Sequence, residues 1–251
     1  MLVDFNHGSG FLYGHNAAEP EPLAARINRL IDVALEAERE GQRPRDYLGA
    51  SRIGEPCARR LVYEVRHTPP DPGKDFEGRT LRIFAAGHVF EDLAIRWLRQ
   101  AGFDLRTQTQ AGGQFGFETA GGRIRGHVDG VIVGGLDVGI AWPALWEHKS
   151  LKASSWSDTA KKGVQLSKPV YFGQMQIYMA YMGLGSALFT ALNQDTCEIH
   201  HELVPFDPAA AQELSDKAVA SDHHQGTLTR GLARCLSPPG NQRPCCCARS
   251  A

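Results

Sequence analysis

The residues of this chain best placed to do chemistry lie in Trp146-Glu147-His148-Lys149-Ser150 and, just upstream, in Gly126-His127-Val128-Asp129-Gly130. In an extended strand, side chains two apart project to the same face. Glu147 and Lys149 then point together, and His148 points to the reverse side. A carboxylate at Asp129 converging on Glu147 offers oxygen ligands to a hard divalent cation. A lysine beside that pair could orient or help deprotonate an attacking water, or steady negative charge building on a phosphate. Alone, an Asp…Glu-x-Lys pattern is weak, because acidic residues and lysines are common in any soluble chain.

Several elements must position these groups. Gly134-Gly135 reads as a hairpin turn ahead of the strand that ends in Leu145-Trp146-Glu147-His148-Lys149. From Phe103 to Val133 the chain is strand-like, with glycine-rich turns, and Gly130 marks a bulge or a close backbone approach. Arg82 to Gln100 reads as a helix stopped by Gly102, with Glu91, Ile95 and Leu98 on one face. An earlier helix over Glu21 to Glu40 carries Leu23, Ile27, Leu30, Ile31, Ala34 and Leu35 as an apolar stripe. Cys57 to Arg66 suits a short helix. Ser154 to Pro169 is polar and reads as a substrate-side loop, and Phe172 to Gly183 as a helix. Two last strands, Ser186 to Ala191 and Glu198 to Val204, precede a helix over Phe206 to Ala220.

With 251 residues, 42% of them hydrophobic, the chain can bury a sizeable core. Its formal net charge of −1 gives no global field for nucleic acid, so any such field must be local. Arg59-Arg60, Lys149 with Lys152, and Lys161-Lys162 are local basic clusters, each more commonly a solvated face than a phosphate track. The first residues lack a basic segment followed by an apolar one, and the apolar stretch Tyr171 to Leu192 is broken by Gln174, Gln176 and glycines. A cytoplasmic protein (in the host cell, if phage-encoded) with no membrane partner is expected. No Walker loop or Gly-x-Ser-x-Gly elbow is present, so an ATP-driven motor or a serine hydrolase is unsupported.

Four ordered segments together resemble the PD-(D/E)XK nuclease superfamily, in its RecB-like, CRISPR-adaptation and lambda-exonuclease-like branches. They are Gly49-Ala50-Ser51-Arg52-Ile53-Gly54-Glu55-Pro56-Cys57-Ala58-Arg59-Arg60-Leu61-Val62-Tyr63, Gly87-His88-Val89-Phe90-Glu91, the Asp129…Glu147-x-Lys149 pair, and Tyr171-Phe172-Gly173-Gln174-Met175-Gln176-Ile177-Tyr178-Met179. The Pro-Asp dipeptide that names the superfamily is replaced by Val128-Asp129. The resemblance implies an α/β fold with a restriction-endonuclease-like core, a central mixed β-sheet flanked by α-helices. It implies Glu91, Asp129 and Glu147 as ligands of Mg²⁺ or Mn²⁺, joined by the backbone carbonyl of His148, and Lys149 as the catalytic lysine. Gln174, Tyr178 and Gln176 would bind substrate, or brace the lysine. The implied activity is metal-dependent DNA hydrolysis, by an exonuclease of recombination, repair or phage DNA processing, with any helicase or recombination partner on a separate chain. A non-catalytic DNA-binding or complex-stabilising module that keeps the fold is the alternative, and hydrolysis of nucleotides or RNA at the same site stays open.

Six cysteines in an intracellular chain argue for metal or thiols before disulfides. The same resemblance would pair Cys57 with Cys235, Cys245 and Cys247 around an iron–sulfur cluster, since thiolates suit such clusters. The adjacency of Cys245, Cys246 and Cys247 departs from that pattern, and a thiol-rich tail is the plainer reading. The expected organisation is a lead and helix over 1–48, the nuclease-like domain over 49–220, and a Cys-rich tail over 221–251.

Overall fold

The computed structural model describes residues 21–43, 45–69 and 76–223. The chain divides into two units, Met1–Gln42 with Phe76–Leu81, and Arg43–Asp75 with Arg82–Ala251. In the first, α1 (Leu23–Glu40) forms where the periodicity puts it. Its apolar stripe, however, is not the buried face: Leu23, Ile27, Leu30 and Ile31 are all exposed. The helix instead docks through polar groups. The amide of Gly78 donates to Glu36 Oε1 at 2.8 Å, and the Arg39 guanidinium covers the Phe76 ring at 4.8 Å. Gly78 permits that approach, because a Cβ there would lie 2.4 Å from Asp32 Cα.

The second unit is mixed α/β. It begins with β1 (Leu48–Gly49), which leads through a 3₁₀ turn, Ala50–Arg52, into α2 (Ala58–Val65). Next comes α3 (Gly78–Gln100), which starts four residues ahead of Arg82 and continues from one unit into the other. Then follow β2 (Leu105–Arg106), β3 (Gly116–Thr119), β4 (Ile124–His127), β5 (Gly130–Ile132) and β6 (Ala144–Leu151). The chain finishes its described part with α4 (Ala153–Ser167), α5 (Pro169–Met182), β7 (Ser186–Asn193), β8 (Ile199–Pro205) and α6 (Pro208–His223).

These strands make a central five-stranded sheet in the order β2-β5-β6-β7-β8 and a small three-stranded sheet, β1-β4-β3. In the central sheet only β6 and β7 run parallel. Parallel neighbours need a long crossover, and α4 with α5 supplies it. The core lies on both faces of β6. Leu145 and Leu151 join a cluster with Met175, Ile177, Met179 and Phe189 on one side, while Trp146 packs with Ala94, Leu105, Ile132 and Leu188 on the other. Strand alternation thus sends neighbours 145 and 146 into different cores.

Two connections differ from the sequence reading. Gly134-Gly135 does not close a two-residue hairpin, since β5 ends at Ile132 and β6 begins at Ala144. The glycines serve the neighbouring strand instead: Asp104 donates to the Gly134 carbonyl at 2.9 Å, and a Cβ on Gly135 would meet Phe103 at 3.0 Å. The polar stretch read as a loop from Ser154 to Pro169 is helical, α4 then the start of α5. Its few buried contacts, Thr159, Val164 and the Trp156 indole donating to the Ala191 carbonyl at 2.9 Å, give too thin a stripe to read as periodicity. Gly163 breaks α4 with φ 76°, and the Glu202 carboxylate accepts from the next amide, Val164, at 2.8 Å. Among the described residues, no helix is long and apolar enough to cross a membrane.

Candidate active site

β6 builds the site by alternation. Leu145, Glu147, Lys149 and Leu151 share the face that α5 covers, so two charged side chains are carried between two buried leucines. Glu147 is fully buried. Its Oε1 accepts from the Gln174 amide at 2.7 Å and from the Lys149 ammonium. Its Oε2 is buried with no hydrogen-bond partner. A carboxylate oxygen so placed costs free energy unless something else satisfies it.

Asp129 follows Val128, which is fully buried, at the turn from β4 to β5. The turn is fixed from both sides: Val128 donates to the Phe115 carbonyl at 3.0 Å, and the Gln114 amide donates to the Val128 carbonyl at 3.1 Å. Asp129 Oδ2 accepts from the His148 amide at 2.8 Å, which holds it beside β6. The expected close approach at Gly130 is present, since a Cβ there would lie 2.7 Å from Leu105 and 3.0 Å from the Arg106 carbonyl.

Lys149 sits at the centre. Its Nζ contacts Glu147 Oε1, lies 3.0 Å from the His148 carbonyl and 3.9 Å from Asp129 Oδ2, and stands 5.4 Å from the centre of the Tyr171 ring. Burial acts to lower its pKa, but the charges of Glu147 and Asp129 outweigh that and hold the ammonium above its ordinary range. Burial first, and the Asp129 charge next, push the Glu147 carboxyl up to about 8. Glu91, on α3, is pushed up to about 7 by burial and by the same Asp129 charge. Three carboxylates within each other's field therefore share one cation.

The structure brings together Glu91, Asp129, Glu147, Lys149 and the His148 carbonyl, with Gln174 and Tyr178 behind them. Gln174 also donates to the Tyr178 hydroxyl at 3.3 Å, and Tyr178 is buried with its ring edge-on to Phe117 at 5.9 Å. Both residues thus brace Glu147 from within the core. Gln176 stands apart. It is fully buried, donating to the Pro205 carbonyl at 3.0 Å and accepting from the Asp207 amide at 2.8 Å, so it staples the β8–α6 junction. The His148 ring points to the other face of the sheet, stacked on Trp146, and burial pushes its pKa down to about 4. His88 is exposed and lies 3.9 Å from Glu91. Cys57 is buried just before α2, while Cys235, Cys245, Cys246 and Cys247 fall outside the described residues. Tyr171 opens the fourth sequence segment without an assigned role; its ring lies beside an ammonium that arrives from a distant strand.

The donor set is all oxygen, and the unpartnered Glu147 Oε2 offers it a free lone pair, which is the chemistry of a hard divalent cation. Among the described residues, no three His, Cys, Asp or Glu side chains are gathered at metal-holding distance. The Lys149 ammonium takes the place between the carboxylates.

α5 reaches the site only because of a glycine contact. A Cβ on Gly54 would lie 2.6 Å from the Cα and carbonyl oxygen of Val170, and a Cβ on Gly173 would lie 3.0 Å from Gly54 Cα. Backbone cannot yield as a side-chain tip can. Gly54→Ala is expected to destabilise the protein by about 1–3 kcal/mol through overpacking. Because α5 carries Tyr171 and Gln174, activity should fall as well, whereas Gly87→Ala, inside α3 with open space at its Cβ, should stabilise the fold by about 0.5–1 kcal/mol and leave activity in place. Urea unfolding and an activity assay on the two variants check this.

No family model and no curated protein matches the chain. Among solved structures, the chain is similar to an alkaline exonuclease from Laribacter hongkongensis at 17% identity, over 75% of this chain and 90% of that one, with a TM-score of 0.49. The same enzyme in complex with dAMP gives 18% identity over 70% and 85%, also at 0.49. A phage-related exonuclease from Haemophilus somnus 129PT gives 14% identity over 82% and 87%, at 0.46.

Proposed function

We propose that this chain is a metal-dependent deoxyribonuclease that acts at DNA ends. The observation that carries the proposal is the buried Glu147 carboxylate, one oxygen held by Gln174 and Lys149 and the other without a partner, beside Asp129. Glu91, Asp129, Glu147 and the His148 carbonyl would hold Mg²⁺ or Mn²⁺, which when bound lowers the pKa of water and neutralises developing phosphate charge. Lys149 then does two things. Its ammonium orients the attacking water by hydrogen bonding, and it offsets the charge that grows on the phosphate oxygens in the transition state. Tyr171 shields that ammonium on one side and so directs its remaining donors toward the substrate. Gln174 and Tyr178 keep Glu147 in its rotamer. The end preference rests on the resemblance of the Gln174…Tyr178 helix to exonuclease sequences.

Release of acid-soluble nucleotide from linear duplex DNA tests the reading. Activity should require Mg²⁺ or Mn²⁺, vanish with EDTA, and be lost in Glu147→Gln. Metal-independent release, or full activity in Glu147→Gln, would rule the site out.

A pH effect follows from the same carboxylates. A carboxyl whose folded pKa is raised stabilises the fold fully below its unfolded value of 4.5, and that contribution is lost as pH rises through about 8 for Glu147 and about 7 for Glu91. The Tm of the metal-free protein should therefore fall between pH 5 and pH 9. Added Mg²⁺ should raise the Tm most at the alkaline end, because a cation binds only the deprotonated ligands. A pH series of thermal melts with and without Mg²⁺ measures both trends.

A further inference from the structure

The exposed stripe of α1 has no role in the site and no cover among the described residues. Leu23 is 64% exposed and Leu30 69%, with Ile27 and Ile31 open between them. Leu23, Ile27, Leu30, Ala34 and Ala37 follow the alternating four-and-three spacing of a two-helix seam. The opposite face of the same helix, Asp32, Glu36 and Arg39, is the one turned toward residues 76–78. The apolar side is thereby left facing out. Charge is also divided along the helix. Arg26 and Arg29, the latter paired with Glu21 at 2.7 Å, lie in its first half, while Glu36, Glu38 and Glu40, with Arg39 among them, crowd its second.

That division is unfavourable within one helix. Acidic groups near a C-terminus oppose the helix dipole; Arg39, on the docked face, is the one basic residue of the last turn, and the first turn has no acidic residue. We propose that α1 pairs antiparallel with α1 of a second copy of this chain, making the protein a dimer through this helix. An antiparallel pairing joins the two apolar seams. It also sets Arg26, on one flank of the seam, against Glu40 on the matching flank of the second copy, since 26, 33 and 40 are spaced by seven. Each acidic C-terminal half then lies along the other helix's positive N-terminal end. A parallel pairing gives neither compensation. At 18 residues the helix spans about 27 Å, enough for a weak dimer but not an obligate one.

Sedimentation equilibrium of the full chain over about 1–100 μM tests this. The wild type should move from monomer to dimer across that range. Leu30→Glu should raise Kd by about tenfold or more. Arg26→Glu should weaken the dimer at low salt, and the double variant Arg26→Glu with Glu40→Arg should restore it. Circular dichroism and the melting curve of Leu30→Glu monomers should match wild type. A wild type that stays monomeric throughout, or a dimer indifferent to Leu30→Glu and to the charge exchange, overturns the proposal. So does a Leu30→Glu variant whose monomer melts well below wild type, because the stripe would then pack within the chain.

Discussion

Replacing Lys149 by Ala is expected to cut DNA cleavage by about 10³-fold, a loss comparable to removing one oxyanion-stabilising donor. Three contacts make that effect large. The ammonium bridges Glu147 and, at 3.9 Å, Asp129, and it lies 3.0 Å from the His148 carbonyl that would face a bound cation. Among the described residues, no other lysine or arginine pairs with Glu147 or Asp129. The stability change should be small, because Glu147 has its carboxyl pKa already raised to about 8 and can remain protonated when the ammonium is gone. Lys149→Arg should recover little, since a planar guanidinium cannot occupy the compact position of an ammonium beside Glu147. Kinetics under metal saturation should show the loss in kcat with KM nearly unchanged. A mainly KM effect would make Lys149 a substrate-binding residue only.

The second large effect concerns the fold. Trp146→Ala should destabilise the protein by about 3–5 kcal/mol, the usual range for deleting a buried aromatic side chain. Trp146 is fully exposed to neither solvent nor site: it is buried on the face of β6 opposite Glu147, against Ala94, Ile132 and Leu188. Its indole donates to Thr190 Oγ1 at 3.0 Å on the parallel neighbour β7, and its ring stacks on His148 at 5.7 Å. Removing it leaves a cavity and a half-satisfied Thr190. Trp146→Phe, which keeps an aromatic ring but loses part of the volume and the indole donor, should recover part of the loss. Chemical unfolding of the three proteins measures this, and equal midpoints for wild type and Trp146→Ala would contradict the packing described.

The carboxylate and lysine pattern was legible in the sequence because strand alternation is a local property. Glu147 and Lys149 share a face for the same reason that 145 and 151 do. The partnership of Gln174 with Glu147 was legible only through resemblance, since nothing at either position announces a bond across 27 residues. The two glutamines of Gln174-Met175-Gln176 read alike in sequence, yet a two-residue step on a helix turns the second about 200° away from the first. That rotation sends Gln176 to Pro205 and Asp207. α1 shows the opposite limit. Its periodicity located the helix correctly, but an apolar stripe says only that something covers it, and among the described residues the docked face is the polar one. α4 was missed because its buried side is made of one threonine, one valine and a tryptophan.

Asp129, Glu147 and Lys149 are the heart of the proposed metal-dependent nuclease centre. Its most direct test is cleavage of end-labelled linear DNA and closed circular DNA with Mg²⁺, Mn²⁺ or EDTA, comparing wild type with Lys149→Ala. Metal-dependent loss of the linear DNA, survival of the circle, and no loss of either with Lys149→Ala are expected. Intact linear DNA after incubation with folded wild-type protein and either metal, or undiminished cleavage by Lys149→Ala, would contradict that assignment.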